Sequence, residues 1–282
     1  MVVDRPARVA RPDLMVAARA PLAVWQRGGG DEAVLLVHGY PDHASSMLPL
    51  AEHLAAHGLL ALTVALPGFA PSAPVDDCGA DEICADLLAV LDALGIERSH
   101  VIGHDWGAAF AYHLACHDAA RIDRVVAISV PHPHGFATRR ATLREQRTLT
   151  YALLLADPIR GPAIARSRAW VTSLASAWSP GLYRPDWPLV LDTVCDPEGA
   201  EQTHRYYRDD LASRGRPTGL IRRATTVIHG AQDGCISPAV FHGLEHLFAA
   251  GLTAHLLPDV GHWPHLERAD VVHAIVLDAL GG

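Results

Sequence analysis

The segment Val101–Ala108 constrains the fold of this chain more than any other stretch. An apolar run passes into Gly103-His104-Asp105-Trp106-Gly107 and then into an alanine-rich helical pattern. This order predicts a strand, a sharp turn and a helix, with the Asp105 carboxylate at the tip of the turn. Small residues on both sides suit a strained turn whose backbone passes close to the helix behind it. Because Asp and Gly are common in turns, the segment taken alone would also fit an ordinary turn.

The residue at the tip narrows the chemistry. A turn of this kind normally carries a serine, and here Asp105 stands in its place. A carboxylate with a reference pKa of about 3.9 is ionised at neutral pH and needs no base before it attacks. Attack on an acyl carbon would give an unstable anhydride, whereas attack on a saturated carbon gives an ester that water can cleave. The expected substrates are therefore alkylating ones, epoxides or alkyl halides.

Length and composition set the outer limits. A chain of 282 residues with 50% hydrophobic residues can form one large α/β domain, or a domain with an insertion. The formal charge of −8 argues against nucleic acid or an anionic membrane as a main partner, because both attract basic surfaces. Five cysteines without CxxC spacing, no apparent secretory signal and no membrane-length apolar run predict a reduced, cytoplasmic protein. The oligomeric state stays open, a homodimer included.

Apolar runs and helical patterns alternate along both ends of the chain, which predicts a mostly parallel sheet covered by helices. An irregular or edge segment is expected over 1–21, followed by strands near 22–26, 33–37, 60–66, 101–104, 125–130, 225–229 and 252–257. Helices are expected over 47–57, 81–94, 106–117, 238–249 and 263–280. From about residue 135 to 217 the pattern is helical without a strand-like run. We therefore predict a core domain of residues 1–134 and 218–282, with a helical cap of residues 135–217 inserted after the sixth strand.

An ester on Asp105 must be cleaved by activated water, and a histidine held by a carboxylate is the usual means. Asp233 follows one late strand and His262 follows the last, so the order nucleophile, acid, histidine is that of a hydrolase with such a turn. The chain has 18 histidines, and position alone distinguishes His262. Asp259 competes with Asp233, but it lies too near His262 in sequence to approach its ring easily from behind.

The turn His38-Gly39-Tyr40-Pro41 follows an early buried strand. The backbone N–H groups of Tyr40 and Trp106 are expected to form an oxyanion hole for the tetrahedral intermediate of ester hydrolysis. They would also help to keep Asp105 ionised before attack, together with the N-terminus of the following helix.

Taken together, these motifs resemble the epoxide hydrolase and haloalkane dehalogenase branch of the α/β-hydrolase superfamily. The matching segments occur in the family's order across nearly the whole chain: 38–41, 103–107, Val130-Pro131-His132-Pro133, 230–233 and Gly261-His262-Trp263-Pro264-His265-Leu266-Glu267. The resemblance implies an α/β-hydrolase fold with a helical cap.

The two branches of that family differ in how they stabilise the leaving group. Haloalkane dehalogenases pair a tryptophan after the nucleophile with an asparagine after the His-Gly. Trp106 matches the tryptophan, but Tyr40 stands in place of the asparagine. Epoxide hydrolases instead use two cap tyrosines on the ring oxygen, and the resemblance assigns these roles to Tyr151 and Tyr207. Tyr183 and Tyr206 are the fallback candidates.

The sequence thus predicts an epoxide hydrolase that acts on a small apolar epoxide and needs no cofactor and no metal. Asp105 would attack a ring carbon, and His262 with Asp233 would activate water against the ester. His113 and His117 have a spacing that can bind zinc, but no third ligand accompanies them. Two alternatives remain open: a haloalkane or haloacid dehalogenase using the same ester, and a non-catalytic binding protein of the same fold.

Overall fold

The computed structural model describes residues 11–133, 150–213 and 219–281. Its centre is an eight-stranded sheet in the order β1-β2-β4-β3-β5-β6-β7-β8. The strands are β1 (Leu14–Ala17), β2 (Pro21–Arg27), β3 (Ala33–Val37), β4 (Leu60–Val64), β5 (Ser99–His104), β6 (Ile122–Ile128), β7 (Thr225–Gly230) and β8 (Leu252–Leu257). The β1–β2 and β2–β4 pairs are antiparallel, and all other neighbouring strands are parallel. The predicted mostly parallel sheet is confirmed.

Strand β3 shows why the central strands are continuous apolar runs. Successive side chains point to opposite faces of a strand, and both faces of this sheet are covered. Val34 and Leu36 pack in the hydrophobic cluster on one face, while Leu35 and Val37 pack in the cluster on the other. All four side chains are buried, so neither face could carry a polar residue without cost.

Helices cover the sheet on both faces. The α-helices of the described residues are α1 (Leu48–Ala56), α2 (Ala80–Ala93), α3 (Trp106–His117), α4 (Thr150–Ala156), α5 (Gly161–Ala165), α6 (Arg168–Trp178), α7 (Trp187–Val194), α8 (Pro197–Ser213), α9 (Pro264–Glu267) and α10 (Ala269–Leu280). Apolar side chains of α1 and α10 share a hydrophobic cluster with Val34 and Leu36. Those of α2 and α3 share the opposite cluster with Leu35 and Val37.

Helices α4 to α8 lie between β6 and β7 in the chain, and we call residues 150–213 the cap. In the cap, α8 packs against α4 and α5. The Tyr207 ring of the cap contacts that of Trp106 after β5, and the Trp178 ring of the cap contacts that of His262 after β8, so the cap lies over the carboxyl ends of the parallel strands. Residues 135–149 and 214–217 of the predicted cap lie outside the described residues.

The N-terminal segment, expected to be irregular or at an edge, contains a paired edge strand, β1. Two other sequence expectations differ from the structure. The predicted helix over 238–249 is wrong: two 3-10 turns, Pro238–Phe241 and Glu245–Leu247, flank Gly243, whose φ of 79° ends helical geometry. The predicted closing helix is divided into α9 and α10 at Arg268, whose φ of −138° and ψ of 57° are not helical. Within the described chain, no helix has both the length and the apolar character needed to cross a membrane.

Candidate active site

The turn between β5 and α3 places Asp105 at the carboxyl end of the sheet. Asp105 has a left-handed φ of 52° with ψ of −116°, a conformation that costs a non-glycine residue about 1–3 kcal/mol. The two glycines allow the turn to form. A Cβ on Gly103 would lie 2.0 Å from the Gly107 carbonyl oxygen, and one on Gly107 would lie 2.1 Å from the Val37 carbonyl oxygen. The Gly-x-Asp-x-Gly pattern therefore follows from close backbone approach.

The ring of His262 lies between two carboxylates. Its Nδ1 is 2.8 Å from Asp233 Oδ2, and its Nε2 is 3.4 Å from Asp105 Oδ2. The second separation is long for a hydrogen bond, so we describe that contact as an ion pair. Asp233 is fixed in turn, because its Oδ1 accepts hydrogen bonds from the backbone N–H groups of Cys235 and Ile236. The structure thus brings together the three residues that the sequence assigned as nucleophile, acid and base.

The electrostatics of the three residues depend on one another. Burial alone would lower the pKa of His262, but the carboxylates of Asp233 and Asp105 outweigh it and raise that pKa to about 10. Burial alone would raise the pKa of Asp105, but the His262 ring, with further contributions from His104 and the Tyr40 amide, holds it below its ordinary value. A cationic imidazole between two anionic carboxylates is therefore the favoured state at neutral pH.

The two predicted oxyanion-hole groups differ in their contacts. The backbone N–H of Tyr40 donates to Asp105 Oδ1 at 2.9 Å. In the part of the chain that the structure describes, no hydrogen bond joins the Trp106 N–H to the carboxylate. A Cβ on Gly39 would lie 2.4 Å from Asp105 Oδ1, so the glycine before Tyr40 leaves room for the carboxylate.

Two cap tyrosines lie beside this set. Tyr151 comes from α4 and Tyr207 from α8, and their ring centroids are 5.7 Å apart in an edge-to-face arrangement. The Tyr207 ring also contacts the ring of Trp106 at 5.1 Å. The Tyr151 hydroxyl is 3.4 Å from Cys235 Sγ. Burial, with smaller contributions that include the negative charge of Asp105, raises the pKa of both phenols, so both hydroxyls keep their protons.

The fallback tyrosines lie elsewhere. The Tyr206 hydroxyl donates to the carbonyl oxygen of Pro67 at 3.2 Å. Tyr183 is 84% exposed. Asp259, the alternative acid, contacts Gln232 Nε2 at 3.2 Å through its Oδ1, while the His262 ring contacts Asp233.

Sequence reasoning missed the residues that hold the backbone of His262. The His262 N–H donates to Ser179 Oγ at 2.6 Å, and the Ser179 hydroxyl donates to Glu267 Oε1 at 2.7 Å. The His262 carbonyl oxygen accepts hydrogen bonds from His104 Nε2 and Ser129 Oγ, each at 2.8 Å. Ser179 directly follows a cap helix, and no motif in the sequence distinguishes it from other serines.

A buried ion pair behind His262 was also missed. Asp42 Oδ1 accepts a hydrogen bond from Arg184 Nη2 of the cap at 2.7 Å, and Asp42 Oδ2 accepts from Trp263 Nε1 at 3.1 Å. Burial opposes ionisation of Asp42, but Arg184 and His104 hold its pKa well below the ordinary value. The position of Asp42 directly after His-Gly-Tyr-Pro was the only available signal.

Two buried groups have the composition of a metal site: Asp42 with His104 and His265, and Asp233 with Cys235 and His262. In the first group a cation would compete with the Arg184 guanidinium for Asp42. In the second group both oxygens of Asp233 already accept hydrogen bonds. We therefore interpret both groups as hydrogen-bonding sets. His113, the earlier zinc candidate, has its Nε2 2.9 Å from Asp81 Oδ1.

The chain is similar to known proteins of one fold family. A family model described as the alpha/beta hydrolase fold matches residues 32–269. The chain belongs to the α/β-hydrolase fold family. The predicted superfamily is thereby confirmed, and the buried carboxylate turn, the acid after β7 and the histidine after β8 are this α/β-hydrolase's candidate catalytic residues.

Relatives of this α/β-hydrolase carry more than one name. Epoxide hydrolase 3 of Xenopus tropicalis is 21% identical over 267 residues, which cover 88% of this chain and 71% of that protein. The dihydrolipoyllysine-residue acetyltransferase component of the acetoin cleaving system of Cupriavidus necator is 27% identical over 285 residues, covering 91% and 66% respectively. The solved structure of an epoxide hydrolase from an endophytic Streptomyces superposes with a TM-score of 0.78 at 24% identity, over 93% of this chain and 92% of that one. At these identities the comparison establishes the fold, and the reaction has to be argued from the site.

Proposed function

We propose that this α/β-hydrolase is an epoxide hydrolase that opens an epoxide to a vicinal diol through an ester on Asp105. The observation that carries the proposal is the position of Tyr151 and Tyr207. Two protonated phenols from the cap lie beside an ionised carboxylate that is paired with a histidine. An epoxide needs both partners at once, an anion at carbon and a proton donor at the ring oxygen.

The proton balance of the proposed reaction agrees with the electrostatics. In the free enzyme Asp105 is anionic and His262 is cationic. Attack forms a bond from an Asp105 oxygen to a ring carbon and breaks the carbon–oxygen bond of the epoxide, and the released oxygen takes a proton from a tyrosine hydroxyl. His262 supplies the proton that balances the step, because esterification removes one of the two negative charges that raise its pKa.

The second half of the cycle restores the first state. Neutral His262, held by Asp233, takes a proton from water as the water attacks the carbonyl carbon of the ester. The Tyr40 N–H, which donates to Asp105 Oδ1 in the free protein, would stabilise the oxygen of the tetrahedral intermediate. Collapse releases the diol and leaves Asp105 anionic and His262 cationic. Neither a cofactor nor a metal takes part in these steps.

Trapping of the ester tests this proposal directly. His262→Gln leaves Asp105 and one tyrosine proton for a single attack but removes the base that hydrolysis needs, so intact-protein mass spectrometry after exposure to styrene oxide should show the protein plus one epoxide. The double variant with Asp105→Asn should show no such mass. Single turnover of the wild type in heavy-oxygen water should give a first product without label, since its new oxygen comes from Asp105. Label in that first product would contradict the ester.

The cap tyrosines have a matched control in Tyr183. Tyr151→Phe and Tyr207→Phe should each lower the rate of ester formation, by about 10²–10⁴-fold if the lost hydroxyl is a general acid. Tyr183→Phe removes an exposed hydroxyl and should leave the rate unchanged. Normal turnover in the first two variants would contradict the assignment.

Halide displacement is the alternative that the sequence left open. It would use the same ester but needs N–H donors for a halide, and Tyr40 stands where the dehalogenase pattern has an asparagine. Bromide release from a bromoalkane, without diol from styrene oxide, would favour that alternative over the proposal.

A further inference from the structure

The hydroxyl of Tyr40 is a buried polar group for which the described residues provide no partner. Tyr40 is 1% exposed, and its hydroxyl oxygen makes no hydrogen bond with any described residue. Other buried tyrosines of this chain have partners: Tyr112 donates to the Val130 carbonyl oxygen and Tyr206 to that of Pro67. The buried hydroxyls of Thr63, Ser99 and Thr203 also have no partner among the described residues, but of these four residues Tyr40 is the one bonded to Asp105, so a bound substrate could partner its hydroxyl.

The position of Tyr40 connects it to the proposed reaction. Its backbone N–H donates to Asp105 Oδ1, and its ring lies edge-to-face against that of Tyr207, with centroids 5.8 Å apart. Tyr40 thus contacts the nucleophile turn through its backbone and a cap tyrosine through its ring. Burial raises the pKa of Tyr40, with smaller contributions from Cys195 of the cap and Asp105, so the phenol stays protonated and can donate a hydrogen bond.

We propose that the Tyr40 hydroxyl binds a second oxygen of the substrate, and that the preferred substrates are epoxides with a hydroxyl or ether oxygen on the carbon next to the ring. The inference rests on the proposed function, because it names the substrate class of that same site. A site with a buried hydrogen-bonding group discriminates against a ligand that leaves the group unpaired. Plain alkyl epoxides of the same size would leave the Tyr40 hydroxyl without a partner.

A matched pair of substrates tests the inference. Glycidol and 1,2-epoxybutane differ chiefly in whether a hydroxyl or a methyl group ends the substituent. The wild type should have the higher kcat/KM for glycidol, and Tyr40→Phe should lower the glycidol-to-epoxybutane ratio by about tenfold, the value of one hydrogen bond. Tyr183→Phe, which removes an exposed hydroxyl, should leave the ratio as in the wild type.

Each other outcome overturns the inference. An equal loss for both epoxides would mean that Tyr40 acts on the ring oxygen or through Asp105. Unchanged kcat/KM values for both epoxides would mean that water partners the hydroxyl.

A binding measurement separates this inference from the proposed reaction. Glycerol and 1,2-butanediol, the hydrolysis products of the two epoxides, can be titrated by tryptophan fluorescence into the wild type and Tyr40→Phe, without any turnover. The ratio of their dissociation constants should favour glycerol in the wild type and shift by a similar factor in the variant. The same ratio in both proteins would overturn the inference even if both epoxides are hydrolysed. If neither epoxide reacts and the ratio still shifts, the proposed function fails and the subsite stands.

Discussion

Removal of the Ser179 hydroxyl should weaken the attachment of His262, the candidate catalytic base, to the cap. In the native protein this one oxygen accepts the His262 N–H at 2.6 Å and donates to Glu267 at 2.7 Å, and Ser179 is 2% exposed. Ser179→Ala leaves the buried His262 N–H unpaired, which costs about 1–3 kcal/mol of unfolding free energy. With an unfolding entropy of about 2.1 cal/mol/K per residue, the melting temperature should fall by about 2–5 °C.

The same variant should affect the two chemical steps differently. In the proposed reaction Asp105 and the cap tyrosines form the ester and His262 then restores the tyrosine proton, whereas ester hydrolysis needs the His262 ring in place when water attacks. We expect single-turnover kinetics to show hydrolysis of the ester slowed by about tenfold, on the order of one neutral hydrogen bond, with ester formation changed less. Ser176→Ala, at an exposed serine in the cap helix that Ser179 follows, is the control. If both variants behave alike in melting and in ester hydrolysis, the Ser179 contact does not position the base.

Further predictions concern protonation, the buried ion pair and the turn. Because the carboxylates of Asp233 and Asp105 outweigh burial and raise the pKa of His262 to about 10, kcat/KM should be retained up to about pH 10 and fall above it. Hydrolysis of the ester needs neutral His262, whose pKa falls once Asp105 is esterified, so the rate of hydrolysis should change with pH in a lower range. A pH series of both rates checks this. The stability that His262 contributes is complete below its unfolded pKa of about 6.5 and lost as pH rises through 10, so denaturant titrations in that window should show the loss. Arg184→Met leaves the buried Asp42 carboxylate without its cationic partner and should cost about 3–5 kcal/mol by urea denaturation. Gly103→Ala forces a Cβ against the Gly107 carbonyl and should reduce soluble folded protein, as circular dichroism would show.

The turn at Asp105 was predictable because its signals are local. The helix after the turn was expected over 106–117 and is observed as Trp106–His117. A strand buried on both faces must be apolar, and a close backbone approach requires glycine, so both requirements can be read from the amino-acid sequence. Strand order after the turn also fixed where the acid and the histidine had to come from.

The features that were predicted wrongly or missed depend on information that the local sequence does not carry. Residues 238–249 have a helical apolar pattern, yet Gly243 takes a left-handed φ and two short turns replace the helix. Ser179 and Arg184 act through contacts with residues that are 83 and 142 positions away in the chain. Neither contact has a periodicity or a motif, because it depends on how the cap is seated on the core.

The contacts of the cap imply that it does more than cover the site. Ser179 holds the His262 N–H, Trp178 packs its ring 4.9 Å from the His262 ring, and Arg184 neutralises the buried Asp42. Tyr151, a proposed acid, packs against the same Trp178 at 4.9 Å. Any displacement of this cap segment would therefore move the base and the proton donor together. We expect Trp178→Ala to slow both ester formation and ester hydrolysis, unlike Ser179→Ala, because the indole supports both partners while the hydroxyl supports one. If Trp178→Ala and Ser179→Ala change the ratio of ester hydrolysis to ester formation by the same factor, the base and the donor are held independently.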